Sequence, residues 1–155
     1  MNIPFVVGVG FSMFCTWMLL YSLRRYKKSL ASINWPTAQG VILEVRLWGK
    51  RNVRGEMLDL EKLSIKYSYA VQETAYQGTT PAFYTLVYPE TVDFANNHPE
   101  NSKIKVYYRP ENPAESVLIP GPRQGNKRFS DILVAGLGLM IAAIIALLGA
   151  LGILG

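Results

Sequence analysis

The sequence is short of almost everything from which an active site is built. Its 155 residues include one cysteine, Cys15, and one histidine, His98. A zinc centre needs three or four Cys, His or carboxylate ligands held together, so no His/Cys metal site can be assembled. The lone cysteine also excludes an intrachain disulfide and leaves the redox compartment open. A Ser or Cys nucleophile needs an adjacent base. The one histidine stands in the polar run Asn96-Asn97-His98-Pro99-Glu100-Asn101, which reads as a surface loop. No glycine-rich phosphate loop is present, and Gly136-Leu137-Gly138 lies inside an apolar run, where small residues serve packing. The carboxylates Glu44, Asp59, Glu61, Glu73 and Glu90 are scattered over polar positions. The expectation is a protein without a cofactor that is not an enzyme.

Charge is the next absence. Residues 1–23 and 132–155 contain no Asp, Glu, Lys or Arg; every charged residue lies between Arg24 and Asp131. The uncharged runs Ile3–Leu23 and Ile132–Leu154 would form helices about 31 and 34 Å long, matching a hydrocarbon core of about 30 Å. Buried helices of soluble proteins rarely run past about 18 uncharged residues. Both segments are therefore expected to span a membrane, and to do so without the intramembrane charges that transporters, proton relays and ion channels place there. A cleaved signal peptide is the other reading of the first segment. Met1-Asn2 supplies no basic n-region, however, and the positive charge follows the run instead.

Those flanking charges set the expected orientation. Arg24, Arg25, Lys27 and Lys28 follow the first run, and Arg123, Lys127 and Arg128 precede the second, while both outer tails carry none. The positive-inside rule then places the middle of the chain in the cytoplasm and both termini outside. The same residues explain a pI of about 9.4. Residues 34–121 hold nine basic and ten acidic side chains, so the basicity belongs to the membrane-surface flanks and not to a nucleic-acid site.

Both apolar runs carry small residues every four positions: Gly8, Ser12 and Thr16 in the first, Gly138, Ala142, Ala146 and Ala150 in the second. Such stripes let helix backbones approach closely. The simpler expectation is that the two pack on each other as a hairpin; the other is that one stripe meets a second copy or a partner helix. Gly149, Gly152 and Gly155 loosen the C-terminal end.

Between the anchors the period changes from helical to two. Val41, Leu43, Val45 and Leu47 alternate with Glu44 and Arg46, and Leu63, Ile65, Tyr67, Tyr69 and Val71 with polar neighbours. Phe83, Thr85 and Val87 follow, then Ile104, Val106 and Tyr108, then Val117 and Ile119. Turn residues separate the runs, which predicts five or six antiparallel strands closing into a small barrel or sandwich. Pro89–Asn97 is expected to make a short helical turn. The organisation is thus membrane α plus all-β: helix 1–23, basic flank 24–33, β domain 34–121, basic linker 122–131, helix 132–155. Two features suit binding. The segment Trp48–Gly55, with Lys50, Arg51 and Arg54, reads as a long hairpin tip able to touch lipid headgroups or an acidic partner. Tyr107, opposite Val106 and Tyr108 on its strand, reads as an exposed contact or as a residue packed under a loop.

A spaced pattern runs through this middle region: Trp35-Pro36-x-x-x-Gly40-x-Ile42, Tyr67-x-Tyr69-x-Val71, Tyr76-x-Gly78, then Val106-Tyr107-Tyr108-Arg109-Pro110-Glu111-Asn112-Pro113, Ser116-Val117-Leu118 and Pro120-Gly121. It resembles the mostly bacterial membrane proteins grouped as domain of unknown function 3592, over nearly the whole chain and most specifically in the closing segment. The resemblance implies a bacterial inner-membrane protein of this architecture. It brings no activity and no catalytic residues. The functional expectation is a non-catalytic, membrane-anchored interaction module, with the bilayer and a protein partner or a second copy as its contacts. An immunity protein against a membrane-active or secreted toxin, and a lipid-binding or enzyme-accessory subunit, are the alternatives.

Overall fold

The computed structural model describes residues 3–124 and 130–153. In chain order it contains α1 (Ile3–Ser32), β1 (Thr37–Val53), β2 (Glu56–Val71), β3 (Thr74–Gly78), α2 (Glu90–Asn97), β4 (Lys103–Arg109), β5 (Asn112–Val117) and α3 (Ser130–Ala150). They divide into two compact units: the chain before Lys28 together with that after Pro122, and Lys28–Pro122.

In the first unit α1 and α3 are both long and apolar enough to cross a membrane, with mean hydropathies of 1.7 and 2.7. Only 11% of the most apolar window of α1 and 17% of that of α3 are buried within the chain. A core helix of a soluble protein would be mostly covered, so these helices leave their apolar sides for something else to cover. Helical structure continues past Leu23 through the basic flank to Ser32, stopping just ahead of Pro36, whose predecessor avoids the α region.

The two helices meet along a seam that differs from the four-residue stripes. A Cβ on Gly8 would lie 2.6 Å from the Ala146 nitrogen, and one on Gly138 would lie 3.1 Å from Cys15 Sγ. Cys15, Ala135, Ala142 and Gly149 are buried, whereas Thr16 and Ala150 are exposed. Helical geometry gives the reason. At 3.6 residues per turn a four-residue step rotates about 40°, so Thr16 stands about 80° from Gly8, while the seven-residue step to Cys15 rotates only about 20°. Ser12 and Thr16 turn their hydroxyls back onto the carbonyls of Gly8 and Ser12, both at 2.8 Å, and so do not bridge helices.

In the second unit a five-stranded antiparallel sheet has the order β3-β2-β1-β4-β5. The expected barrel is not formed: the edge strands β3 and β5 lie near one another but share no ladder, and there is no second sheet among the described residues. Tyr67 bridges the two edges instead. It is fully buried, and its hydroxyl takes up the Thr80 carbonyl, the Ser116 carbonyl (both 3.1 Å) and the Ser116 hydroxyl (2.9 Å). A phenol thus occupies the place where a closing ladder would run. Gly78 makes room for it, since a Cβ there would fall 2.3 Å from the ring.

The core gathers Ile42, Ile65, Tyr67, Tyr69, Phe94, Ile104, Val106 and Leu118. The alternation expected on β1 is corrected here. Ile42 is fully buried and Leu43 exposed, because the β1–β2 register shifts between Ile42 and Glu44. The extra residue of a bulge reverses the parity, so Gly40 and Ile42 face inward before it and Val45 and Leu47 after it. Gly40 is needed for contact: a Cβ would meet Val106 Cγ2 at 2.6 Å and the Ser68 carbonyl at 2.7 Å. Phe83, Thr85 and Val87 form no strand either. Pro81, lacking an N–H, serves this segment through its carbonyl, which accepts from Leu118 and Ile119, and only Ala82 bridges to Ile119. The short helix expected at Pro89–Asn97 is present as α2.

Candidate functional site

β4 pairs β1 as far as Val41, and β3 pairs β2 as far as Tyr67. From Glu44 to Lys66 the two long strands therefore pair only with each other, as a two-stranded arm. Isolated hairpins are marginal in water, and this one is backed on one face. There Thr91 donates to the Leu60 carbonyl at 2.7 Å, Arg51 lies 5.1 Å over the Tyr88 ring, and Glu100 accepts from Val45 N–H. The arm closes in a two-residue turn with Arg54 and Gly55 at φ 55° and 95°, as a type I′ hairpin demands, and Gly55 N–H donates to the Asn52 side chain at 2.9 Å.

The expected loop Trp48–Gly55 is therefore corrected: Trp48, Lys50 and Arg51 belong to strand β1, and the tip is Arg54-Gly55 alone. The five proposed contact residues separate. Trp48, Lys50 and Arg54 are exposed. Arg51 is taken up internally, 3.1 Å from Glu61 and against Tyr88. Tyr107 is half-buried in mid-sheet, between Thr37 on β1 and Val117 on β5. Sequence reasoning missed Lys62, whose ammonium lies 4.5 Å over the Trp48 ring, and the exposed Met57 and Leu58. The Trp48–Lys62 pairing follows from hairpin register, which no short-range spacing announces.

The basic flank also divides. Arg24 and Lys27 are exposed, Arg25 lies 5.8 Å from the Tyr21 ring centroid, and Arg123 is half-buried; Lys127 and Arg128 lie outside the described residues. Lys28 points not to a free surface but to Glu115 on β5, at 2.5 Å. Arg109 reaches the other Glu115 oxygen at 3.2 Å and Glu111 at 2.9 Å. Burial alone would raise Glu115, but the hydrogen bonds from Lys28 and Arg109 outweigh it and hold the carboxyl below the ordinary carboxylate value; Arg109 does the same to Glu111. Carboxyls depressed in the fold contribute stability at neutral pH and lose it on acidification. The thermal midpoint should be level from about pH 7 to 5 and fall below about pH 4.5, and Glu115→Gln should flatten part of that acid limb. Identical acid limbs in the two proteins would contradict the pairing.

A cleft of about 330 Å³ opens along the seam between β3 and β5, lined by Gln77, Gly78, Thr79, Thr80, Phe83, Asn112, Ala114, Glu115 and Ser116. Several of the motif residues quoted above meet here: Tyr67 on Ser116 and Thr80, Tyr69 donating to the Pro113 carbonyl, Gly78 beneath the Tyr67 ring. They clasp the two sheet edges. No three His, Cys, Asp or Glu side chains come together among the described residues, and His98 stacks on Phe94 at 4.3 Å, with Nδ1 3.0 Å from its carbonyl.

With this geometry in view, the chain belongs to the family described as Domain of unknown function (DUF3592), which matches residues 38–123. That is the β unit with its clasp. No curated protein and no solved structure matches the chain.

Proposed function

We propose that this member of the family is a non-catalytic, membrane-anchored interaction module, a subunit or accessory of a larger membrane complex. In this reading α1 and α3 span the bilayer, bacterial inner membrane in type, with the β unit on the cytoplasmic side and both termini outside. The seven basic residues flanking the apolar runs support the orientation. The observation that carries the function is the arm. Trp48 at 48% and Met57 at 59% exposure stand on a ribbon whose other face is packed, with the Lys62 ammonium 4.5 Å over the Trp48 ring. Exposed aromatics beside cations are what docking surfaces offer.

A photocrosslinking amino acid placed at Trp48 should give specific adducts in intact membranes, several-fold stronger than one placed at Thr37, and weakened by Arg54→Glu. A Trp48 probe that yields no more adduct than the Thr37 control would contradict the reading.

A further inference from the structure

α1 carries a face that its seam with α3 leaves open. Phe14, Trp17 and Tyr21 stand about 100–160° around the helix from Cys15, the residue packed on Gly138. All three are exposed, Trp17 most at 61%. Their rings form a continuous series. Phe14 and Trp17 lie 6.2 Å apart between centroids, and Trp17 and Tyr21 stack at 5.8 Å with their planes 17° apart. The series ends on a cation. The Arg25 guanidinium lies 5.8 Å from the Tyr21 centroid, and no carboxylate pairs with it among the described residues.

Depth gives these groups different surroundings. The uncharged run Ile3–Leu23 centres on Met13. At 1.5 Å per residue, Trp17 lies about 6 Å from that midpoint, Tyr21 about 12 Å and Arg25 about 18 Å. Half of a hydrocarbon core is about 15 Å. In a spanning helix the rings therefore fall beside acyl chains, and the guanidinium falls among the phosphates.

We propose that this face of α1 is a binding site for an anionic phospholipid, its phosphate on Arg25 and an acyl chain along the Phe14–Trp17–Tyr21 wall. This rests on the spanning reading of α1 and involves no residue of the arm. A guanidinium can grip two phosphate oxygens at once, and Tyr21 holds this one in place through its ring. Rings already stacked on one another lose little further freedom when an acyl chain packs on them. Charge supplies the selectivity. Phosphatidylcholine offers the same phosphate but sets its choline cation beside Arg24 and Arg25, whereas an anionic headgroup brings no such repulsion.

The test places the full chain in phosphatidylcholine vesicles that contain a minor share of a lipid brominated midway along its acyl chains. That lipid is either phosphatidylglycerol or phosphatidylcholine. Bromine quenches a tryptophan it touches, and subtracting the emission of a Trp17→Phe variant isolates Trp17 from Trp35 and Trp48. Brominated phosphatidylglycerol should quench Trp17 several-fold more than the same share of brominated phosphatidylcholine. Arg25→Gln should bring that ratio close to one. Lys27→Gln makes the same change in charge about 160° around the helix and should leave most of the ratio intact. Equal quenching by the two lipids overturns the proposal. So does an equal fall in the two variants, which would mean a diffuse basic flank and no site. A Trp17 reached by neither lipid overturns it too, because a protein surface or a second copy would then cover the rings. A chain that fails to enter the vesicles overturns the spanning reading and this inference with it; one that enters without lipid preference overturns this inference alone.

Discussion

Replacing Tyr67 with alanine is expected to lower the stability of the β unit by about 3–5 kcal/mol, the cost of emptying a fully buried aromatic site. Against the roughly 5–15 kcal/mol that holds a domain folded, that is a large share. Tyr67→Phe separates the ring from the hydroxyl. It keeps the packing and strands the Thr80 and Ser116 carbonyls without their donor, so it should cost about 1–3 kcal/mol.

The hydroxyl also predicts a pH dependence. Burial pushes the Tyr67 phenol up to about 12 from an ordinary 10, with the Ser116 hydrogen bond pulling the other way. A group whose value is raised in the fold contributes stability that is complete below pH 10 and is lost as pH rises toward 12, at about 1.4 kcal/mol per pH unit. Thermal unfolding of the full chain in mild detergent, followed by near-ultraviolet circular dichroism, should show an alkaline limb for the parent that is shallower in Tyr67→Phe. Burial raises Tyr69 as well, so part of the limb should remain. Parent and variant of equal stability and equal alkaline slope would remove Tyr67 as the clasp.

The second large effect is in the helix unit. A Cβ built on Gly138 lies 3.1 Å from Cys15 Sγ. Across a disulfide the sulfur of one cysteine sits about 3 Å from the Cβ of the other, so Gly138→Cys should cross-link to Cys15 almost completely under mild oxidant. Counting free thiols with a maleimide-polyethylene glycol after denaturation reads this directly: none in oxidised Gly138→Cys, two once it is reduced. Gly136 has open space around its Cβ position and supplies the control, which should stay reduced. Adding Gly8→Leu should lower the yield several-fold, because any Cβ there runs into the Ala146 backbone. Equal cross-linking at positions 136 and 138 would contradict the seam, and a dimer band would point to a second copy.

Much of the architecture was legible in the residues because strong, local terms decide it. Long uncharged runs mark helices regardless of what they pack on, and α2 and the strands around Ile65–Val71 and Ile104–Tyr108 follow their periodicities. What the pattern misread depends on terms that a period does not carry. The bulge after Ile42 reverses which β1 residues face the core, and a chain pattern cannot announce the inserted residue. Phe83–Val87 alternates like a strand, but its place beside β5 is set by the Pro81 carbonyl. The expected barrel is replaced by an open sheet whose two edges are bridged by one side chain, Tyr67, a tertiary contact that no period announces. In the helices the four-residue stripe named Gly8, Gly138, Ala142 and Ala146 and missed Cys15, because real helices drift against a period of four.

The candidate surface was half legible. Trp48, Lys50 and Arg54 stood out by composition. That Arg51 is spent on Glu61 and Tyr88, that Lys62 covers Trp48, and that Lys28 serves Glu115 are facts of register and tertiary pairing.

The most direct test of the central proposal is to purify the tagged chain from its native membranes in mild detergent and identify what comes with it by mass spectrometry. The account predicts a companion protein at fixed stoichiometry, retained when the chain is the parent and reduced when the arm carries Lys50→Glu with Arg54→Glu. A chain that is recovered alone in every such preparation would contradict its role as a module within a larger membrane complex.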